Sequence, residues 1–262
     1  MPEGPEVRVV ADAVAKGIGT IFEGAEIIEN VPGTPHRYSR NKPDNWSVIA
    51  NSRWQLVKAR TKGKLILLDI KTLSNDESWV LLITLGMSGD LRWNSAGHKH
   101  TRFAFLKVDG GDLSMVDIRC FGSLRIVTPE KAKKLEAKLG YDLLNVPMEP
   151  NYWDKLQFHK KLSKMEIKPA LMTQNFFSGL GNIYTCETLY ELGIDPRRTV
   201  SQLDPKKWGQ INQTAHVILQ KAYLLNGSSV KDYTFDGKKG EAQTLLKVYG
   251  RETCPKGYKI RT

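Results

Sequence analysis

The sequence predicts an α+β protein of more than one domain, with a short helix first, then a β sandwich or barrel, then a helical domain. Three observations carry this. Near the start, Val7, Val10, Ala11, Val14 and Ile18 recur at helical spacing. From residue 20 to 128 the apolar residues gather instead in short runs rich in branched side chains. After Pro129 helical periodicity returns in a lysine-rich background.

In the first element Pro5 suits an opening helical turn, and Gly17 and Gly19 stand near the stop. The strand candidates are LILLDI (65–70), WVLLITL (79–85), FAFLKV (103–108), LSMVDI (113–118) and LRIV (124–127). Asp109-Gly110-Gly111-Asp112 between two of them is hairpin chemistry, since its glycines accept the positive φ of tight β turns. Helices are expected over 130–139, over 152–165, from near Asn182, and from Pro205 to about Leu225 with Asp204 as N-cap. From Asn226 the chain is rich in Gly, Ser, Lys and Asp, and KVYGR (247–251) reads as one strand of a small hairpin. The expected divisions are 1–128, 129–226 and a tail segment over 227–262, with no internal repeat.

Composition narrows the function. A chain of 262 residues, 40% hydrophobic, can bury two ordinary cores. Lysine plus arginine is 39 against 28 acids, a net charge of +11, which favours a polyanionic partner, nucleic acid ahead of an anionic membrane surface. No apolar run reaches the roughly eighteen residues of a membrane span, and MPEGPEVRVV lacks the basic and then apolar order of a secretory signal. The expectation is a soluble intracellular protein, of cytoplasm, nucleoid or nucleus. Cys120, Cys186 and Cys254 are odd in number and far apart, which argues against a disulfide framework, and three cysteines cannot supply four zinc ligands. No metal and no cofactor are expected.

Three segments could carry chemistry. In Pro2-Glu3-Gly4-Pro5-Glu6, an N-terminal proline would offer a secondary amine able to attack a sugar C1′ and form an iminium ion. Glu3 and Glu6 could move protons, and Gly4 would let the chain turn. A structural reading stands beside this: Pro5 starts a helix and Glu6 favours its positive end. In Gly179-Leu180-Gly181-Asn182, glycines ahead of a helix expose backbone N–H groups suited to phosphate, though a turn between helices looks much the same. Arg60, Lys62 and Lys64 cluster at the mouth of an apolar strand, either a solvated strand end or a phosphate grip.

Taken in order, PEGPEV, KGKLILL, LGMSGDLR (85–92), DIRCFG (117–122), GLGNIYTCETLYELGIDP (179–196) and KVYGR resemble the signature of the Fpg/Nei DNA glycosylases, the formamidopyrimidine-DNA glycosylase and endonuclease VIII enzymes. The resemblance implies a β sandwich joined to a helix-two-turn-helix domain. It implies a bifunctional glycosylase/AP lyase of base excision repair, acting as a monomer on double-stranded DNA that contains oxidised bases or abasic sites. By similarity Pro2 is the Schiff-base nucleophile once Met1 is removed, Glu3 the acid/base partner, Glu6 a supporting carboxylate, and Lys64 a phosphate contact that assists β-elimination. Met87, Arg119 and Phe121 match the residues that fill the gap left by an extruded base. Asn182, Lys164 and His98 match phosphate contacts.

Two departures qualify the resemblance. The family usually ends in a finger with four zinc-binding cysteines and a DNA-contacting arginine, whereas only Cys254 stands in this segment, so a zincless or shortened finger is expected and δ-elimination is in doubt. PEGPE and KGK lean toward the endonuclease VIII side, hence oxidised pyrimidines. GSSVKDYTFDGKKGEAQ (227–243) resembles the lesion-covering loop of the formamidopyrimidine side. The rival reading is a non-catalytic damaged-DNA-binding module of the same fold.

Overall fold

The computed structural model describes residues 1–28, 38, 41–145, 152, 156, 159–228 and 240–260. By contact density the chain forms two compact units. The first holds Met1–Pro2 and Glu6–Ala137, and the second holds Glu3–Pro5, Lys138–Ser228 and Gly240–Thr262.

In the first unit the helix α1 (Gly4–Ala15), which belongs to this unit from Glu6 onward, leads into strands β1 (Ile21–Ile27), β2 (Trp54–Lys62), β3 (Leu65–Thr72), β4 (Ser78–Thr84), β5 (Gly89–Trp93), β6 (Thr101–Lys107), β7 (Asp112–Asp117) and β8 (Ser123–Val127), with a short helix α2 (Ser47–Ala50) before β2. The strands hydrogen-bond in the order β5-β7-β6-β1-β2-β3-β4-β8. Where β1 meets β2 only two residue pairs are in register, Ile21 with Gln55 and Phe22 with Trp54, against a long β2–β3 ladder. That thin seam lets one continuous sheet double over into the two layers of a sandwich. Phe22 and Trp54 stack at the seam with ring centroids 4.2 Å apart. Val7, Val10, Ala11 and Val14 of α1 join them in the same core.

Turn chemistry fixes the register. Gly63 takes φ +56° as the first of two residues between Lys62 and Leu65, the arrangement of a II′ hairpin. Gly110 and Gly111 take φ +89° and +83° between β6 and β7, as the glycine pair predicts. α1 ends at Ala15, three residues short of the expected Ile18. The bare Cα of Gly17 admits the Trp93 ring, which an added Cβ would meet at 2.3 Å.

The divide between units differs from the expected boundary at residue 128. The helix α3 (Pro129–Glu136), capped by Thr128, belongs with the strands because it packs on β4 and its Glu136 accepts a 2.7 Å hydrogen bond from Arg60. Glu3–Pro5 group with the second unit. So does the described tail, residues 240–260.

The second unit contains α4 (Ile167–Leu171), α5 (Asn182–Glu191) and α6 (Pro205–Leu224), with a two-residue parallel pairing of β9 (Tyr141–Asp142) and β10 (Phe177–Ser178). Asp204 caps α6 as expected, accepting from the Lys206 N–H at 2.8 Å. Trp208, Ile211, Ala215 and Leu219 bury one stripe of α6 at helical spacing. Of the helix expected over 152–165, Tyr152 and Leu156 are helical, but the chain turns from Lys160 onward. No described helix is long and apolar enough to cross a membrane.

Candidate functional site

The first residues of the chain divide their tasks. Pro2, Glu3 and Glu6 are all buried, Glu3 to 1% and Glu6 to 0% exposure, whereas Met1 is exposed. A buried carboxylate must be compensated, and for Glu3 the partner is the N-terminus of α5. Its Oε2 accepts from Gly181 N–H at 2.8 Å and Tyr184 N–H at 3.4 Å, and its Oε1 from Ile183 N–H at 2.8 Å. The positive helix end adds to these bonds. Gly4 N–H donates to Gly179 O at 2.9 Å, and a Cβ on Gly4 would crowd the Gly179 backbone at 3.3 Å. Gly4 thus serves close backbone approach rather than a turn.

This corrects the reading of the glycine-rich segment. Gly181 N–H ahead of α5 and Ile183 N–H in its first turn are not open to a phosphate, because Glu3, an anion of the same chain, holds them. Asn182 remains partly exposed as the first residue of α5, its Oδ1 facing Cys186 Sγ at 3.6 Å.

Met87, Arg119 and Phe121 come together on two adjoining loops of the first unit. The connections β4–β5 (residues 85–88) and β7–β8 (118–122) both run from the β4/β8 edge to the β5/β7 edge, so the topology lays them side by side. Met87 is 38% exposed, Phe121 57% and Ile118 46%, while an Arg119 guanidinium nitrogen lies 3.7 Å from Met87 Sδ. Gly86, at φ +61°, fits so closely that a Cβ would lie 2.6 Å from the Phe121 carbonyl carbon. Exposed apolar side chains around a guanidinium suit insertion between bases.

The other cations have separate places. Lys64 is the partly exposed second residue of the β2–β3 turn, while Arg60 is committed to Glu136 and Asp69, an ion pair within the unit rather than a phosphate grip. His98 sits in the turn before β6, where its Nδ1 accepts from the His100 N–H at 3.2 Å. That leaves the proton of a neutral ring on Nε2. Burial, then the charges of Arg92 and Lys99, lower its pKa below the ordinary histidine value. Lys164 is exposed in the turn ahead of α4.

Glu187 was not singled out by sequence. It is buried on α5 and accepts from three successive N–H groups, Lys247 at 2.7 Å, Val248 at 3.0 Å and Tyr249 at 2.8 Å. KVYGR is therefore a bend wrapped on a carboxylate, not a strand. Only the alternation of its side chains suggested one, and a glutamate within an α5 otherwise rich in buried residues was the available signal. Cys254 opens a tight turn closed by its N–H to Tyr258 O, 2.9 Å, with Gly257 at φ +81°. A four-cysteine finger does not fit these residues, and among the described residues no three His, Cys, Asp or Glu side chains group as metal ligands. Residues 229–239 of the loop expected to cover the lesion lie outside the described residues.

Comparison with known proteins places this geometry. Residues 1–124 match the formamidopyrimidine-DNA glycosylase N-terminal domain and residues 139–234 the H2TH domain of the same enzymes. A formamidopyrimidine-DNA glycosylase of Gluconobacter oxydans is 35% identical over 97% of this chain and 90% of its own length. One of Ruegeria pomeroyi is 32% identical over the same shares. Among solved structures, a Lactococcus lactis Fpg mutant bound to Fapy-dG-containing DNA superposes with a TM-score of 0.80 at 25% identity, covering 99% of this chain and 93% of that one. A MutM complex with DNA containing carbocyclic 8-oxo-G gives 0.81 at 26% identity over the same shares. The paired N-terminal and H2TH matches and these full-length relatives show that the chain belongs to the formamidopyrimidine-DNA glycosylase family of DNA repair enzymes.

Proposed function

We propose that this chain is a bifunctional DNA glycosylase/AP lyase acting on oxidised bases in double-stranded DNA, with Pro2 as its nucleophile. The observation that carries the reading is the anchoring of Glu3, the residue next to Pro2, by three N–H groups at the start of α5, those of Gly181, Ile183 and Tyr184. Ordering a buried carboxylate so fully has a use if positive charge develops beside it. With Met1 removed, the Pro2 amine attacks C1′, the C1′–base bond breaks, and the nitrogen becomes a cationic iminium. Glu3 stabilises that cation and serves as proton partner in base release and sugar opening, with Glu6 in support. Loss of the C2′ proton then expels the 3′ oxygen by β-elimination, Lys64 assisting at the phosphate. Met87, Arg119 and Phe121 fill the space of the extruded nucleotide, and Lys164, Asn182 and His98 hold phosphates.

For the lesion, the relatives support ring-opened and oxidised purines first. A Lactococcus lactis Fpg complex with oxidised-pyrimidine DNA keeps the pyrimidine reading in play. Borohydride trapping on duplexes carrying a formamidopyrimidine, 8-oxoguanine, 5-hydroxyuracil or thymine glycol tests the proposal. A covalent adduct lost in Pro2→Ala is expected. Salt-sensitive binding without an adduct for any lesion would establish the rival reading, a binding module. That rival draws on Met1, since with Met1 attached the Pro2 nitrogen is a non-nucleophilic amide.

A further inference from the structure

Asp117 ends β7 and is 1% exposed, and nothing in the chemistry above uses it. Its carboxylate reaches both loops that carry the exposed wedge. Oδ1 accepts from Ser88 Oγ at 2.5 Å and from Arg119 N–H at 3.2 Å, and Oδ2 accepts from Gly122 N–H at 2.8 Å. Ser88 Oγ in turn accepts from Arg119 N–H at 3.0 Å. One buried side chain therefore ties residue 88, next to Met87, to residues 119 and 122, which bracket Phe121. The backbone it holds is unusual, since Cys120 takes φ +55°, a left-handed conformation that a non-glycine residue adopts only when its surroundings impose it. Two further bonds brace the base of the loop: Arg102 donates to Asp117 O at 2.7 Å and Tyr38 Oη to Gly122 O at 2.8 Å.

We propose that Asp117, through Ser88, is a positioning residue for base extrusion: it holds Met87, Arg119 and Phe121 as one rigid wedge without touching the DNA. The proposal rests on the wedge role given to those side chains. Preorganisation matters because a loop that must first be ordered loses that ordering cost from every insertion event.

Asp117→Asn is a sharp probe. An asparagine keeps the size, but either orientation of its amide sets an NH2 donor against an N–H donor, that of Arg119 or that of Gly122. The experiment compares rates of borohydride trapping on two substrates: a duplex with an intrahelical 8-oxoguanine, which must be extruded, and a single-stranded oligonucleotide with an abasic site, which needs no wedge. Asp117→Asn is expected to slow the duplex reaction by roughly tenfold to a hundredfold, the effect of opposing one buried hydrogen bond, and to leave the single-strand rate unchanged. Ser88→Ala, which opposes no donor and leaves Arg119 N–H on Asp117, should slow the duplex reaction less. It carries the test alone if Asp117→Asn does not fold. Asp117→Glu should not restore the duplex rate, since a longer side chain cannot reach the same amides. Equal losses on both substrates, or an unchanged duplex rate in both variants, would overturn the proposal. Failure of the wedge reading has a different sign: a Met87→Ala, Phe121→Ala double variant would then trap on the duplex as fast as the parent.

Discussion

The two units use the same device to opposite ends. In each, a buried carboxylate gathers backbone N–H groups: Asp117 in the sandwich, Glu3 and Glu187 in the helical unit. Around Asp117 the result is outward, since the loops it ties carry side chains left in solvent, Phe121 at 57% exposure. Around Glu3 the result is inward, since the carboxylate is itself buried at the start of α5 and is the group that the proposed reaction uses. A buried carboxylate satisfied by amides is thus either a scaffold or a reagent, and only its neighbours tell which. Beside Glu3 stands Pro2, whereas the Asp117 carboxylate holds the Ser88 hydroxyl and loop amides.

Four expectations press on that difference. The largest is at Glu3. In Glu3→Gln the new NH2 must oppose a helix N–H whichever way the amide turns, and it removes the charge beside the iminium. Single-turnover trapping should fall by about 10²–10³, the usual effect of losing a preorganised electrostatic partner. A loss below threefold would make Glu3 a scaffold like Asp117. Next, Glu187→Gln sets an NH2 donor against either the Lys247 N–H or those of Val248 and Tyr249 and should lower stability by about 1–3 kcal/mol, read by urea denaturation. An unchanged midpoint would mean the KVYGR bend holds without it.

The third concerns DNA affinity. Lys164→Ala should weaken binding to damaged and undamaged duplexes alike and shallow the log–log salt dependence by about one unit, as loss of one phosphate contact does. An unaltered slope removes Lys164 from the interface. The smallest is at His98. Its pKa lies below the ordinary value in the free protein, and a bound phosphate would raise it, so binding takes up a proton and tightens as pH falls through the histidine range. His98→Gln should flatten that part of the binding profile. A profile identical to the parent's would place His98 off the DNA.

The sequence made the larger elements legible because their signals are local. Asp204-Pro205 announces an N-cap, Gly110-Gly111 a hairpin, and the alternation from periodic to branched-apolar runs the change of layer. Strands β1, β2 and β5 were harder to see, since Trp54–Lys62 and Gly89–Trp93 mix charged and apolar residues without a clean period. Candidate residues were named through ordered motifs, but what holds them was not visible. Glu3 meets partners about 180 residues later in the chain, and Glu187 meets amides 60 residues away. Such pairings have no local pattern, and a glycine-rich helix entry looks the same whether a phosphate or a glutamate fills it.

In the proposed reaction the nitrogen of Pro2 forms the bond to the sugar. Mass spectrometric mapping of the borohydride-trapped complex, after digestion of protein and DNA, tests it most directly. The deoxyribose remnant is expected on residue 2, now N-terminal, with Met1 absent from every adduct-bearing peptide. A remnant on Lys64 or any other lysine, or on a chain that still carries Met1, would contradict it.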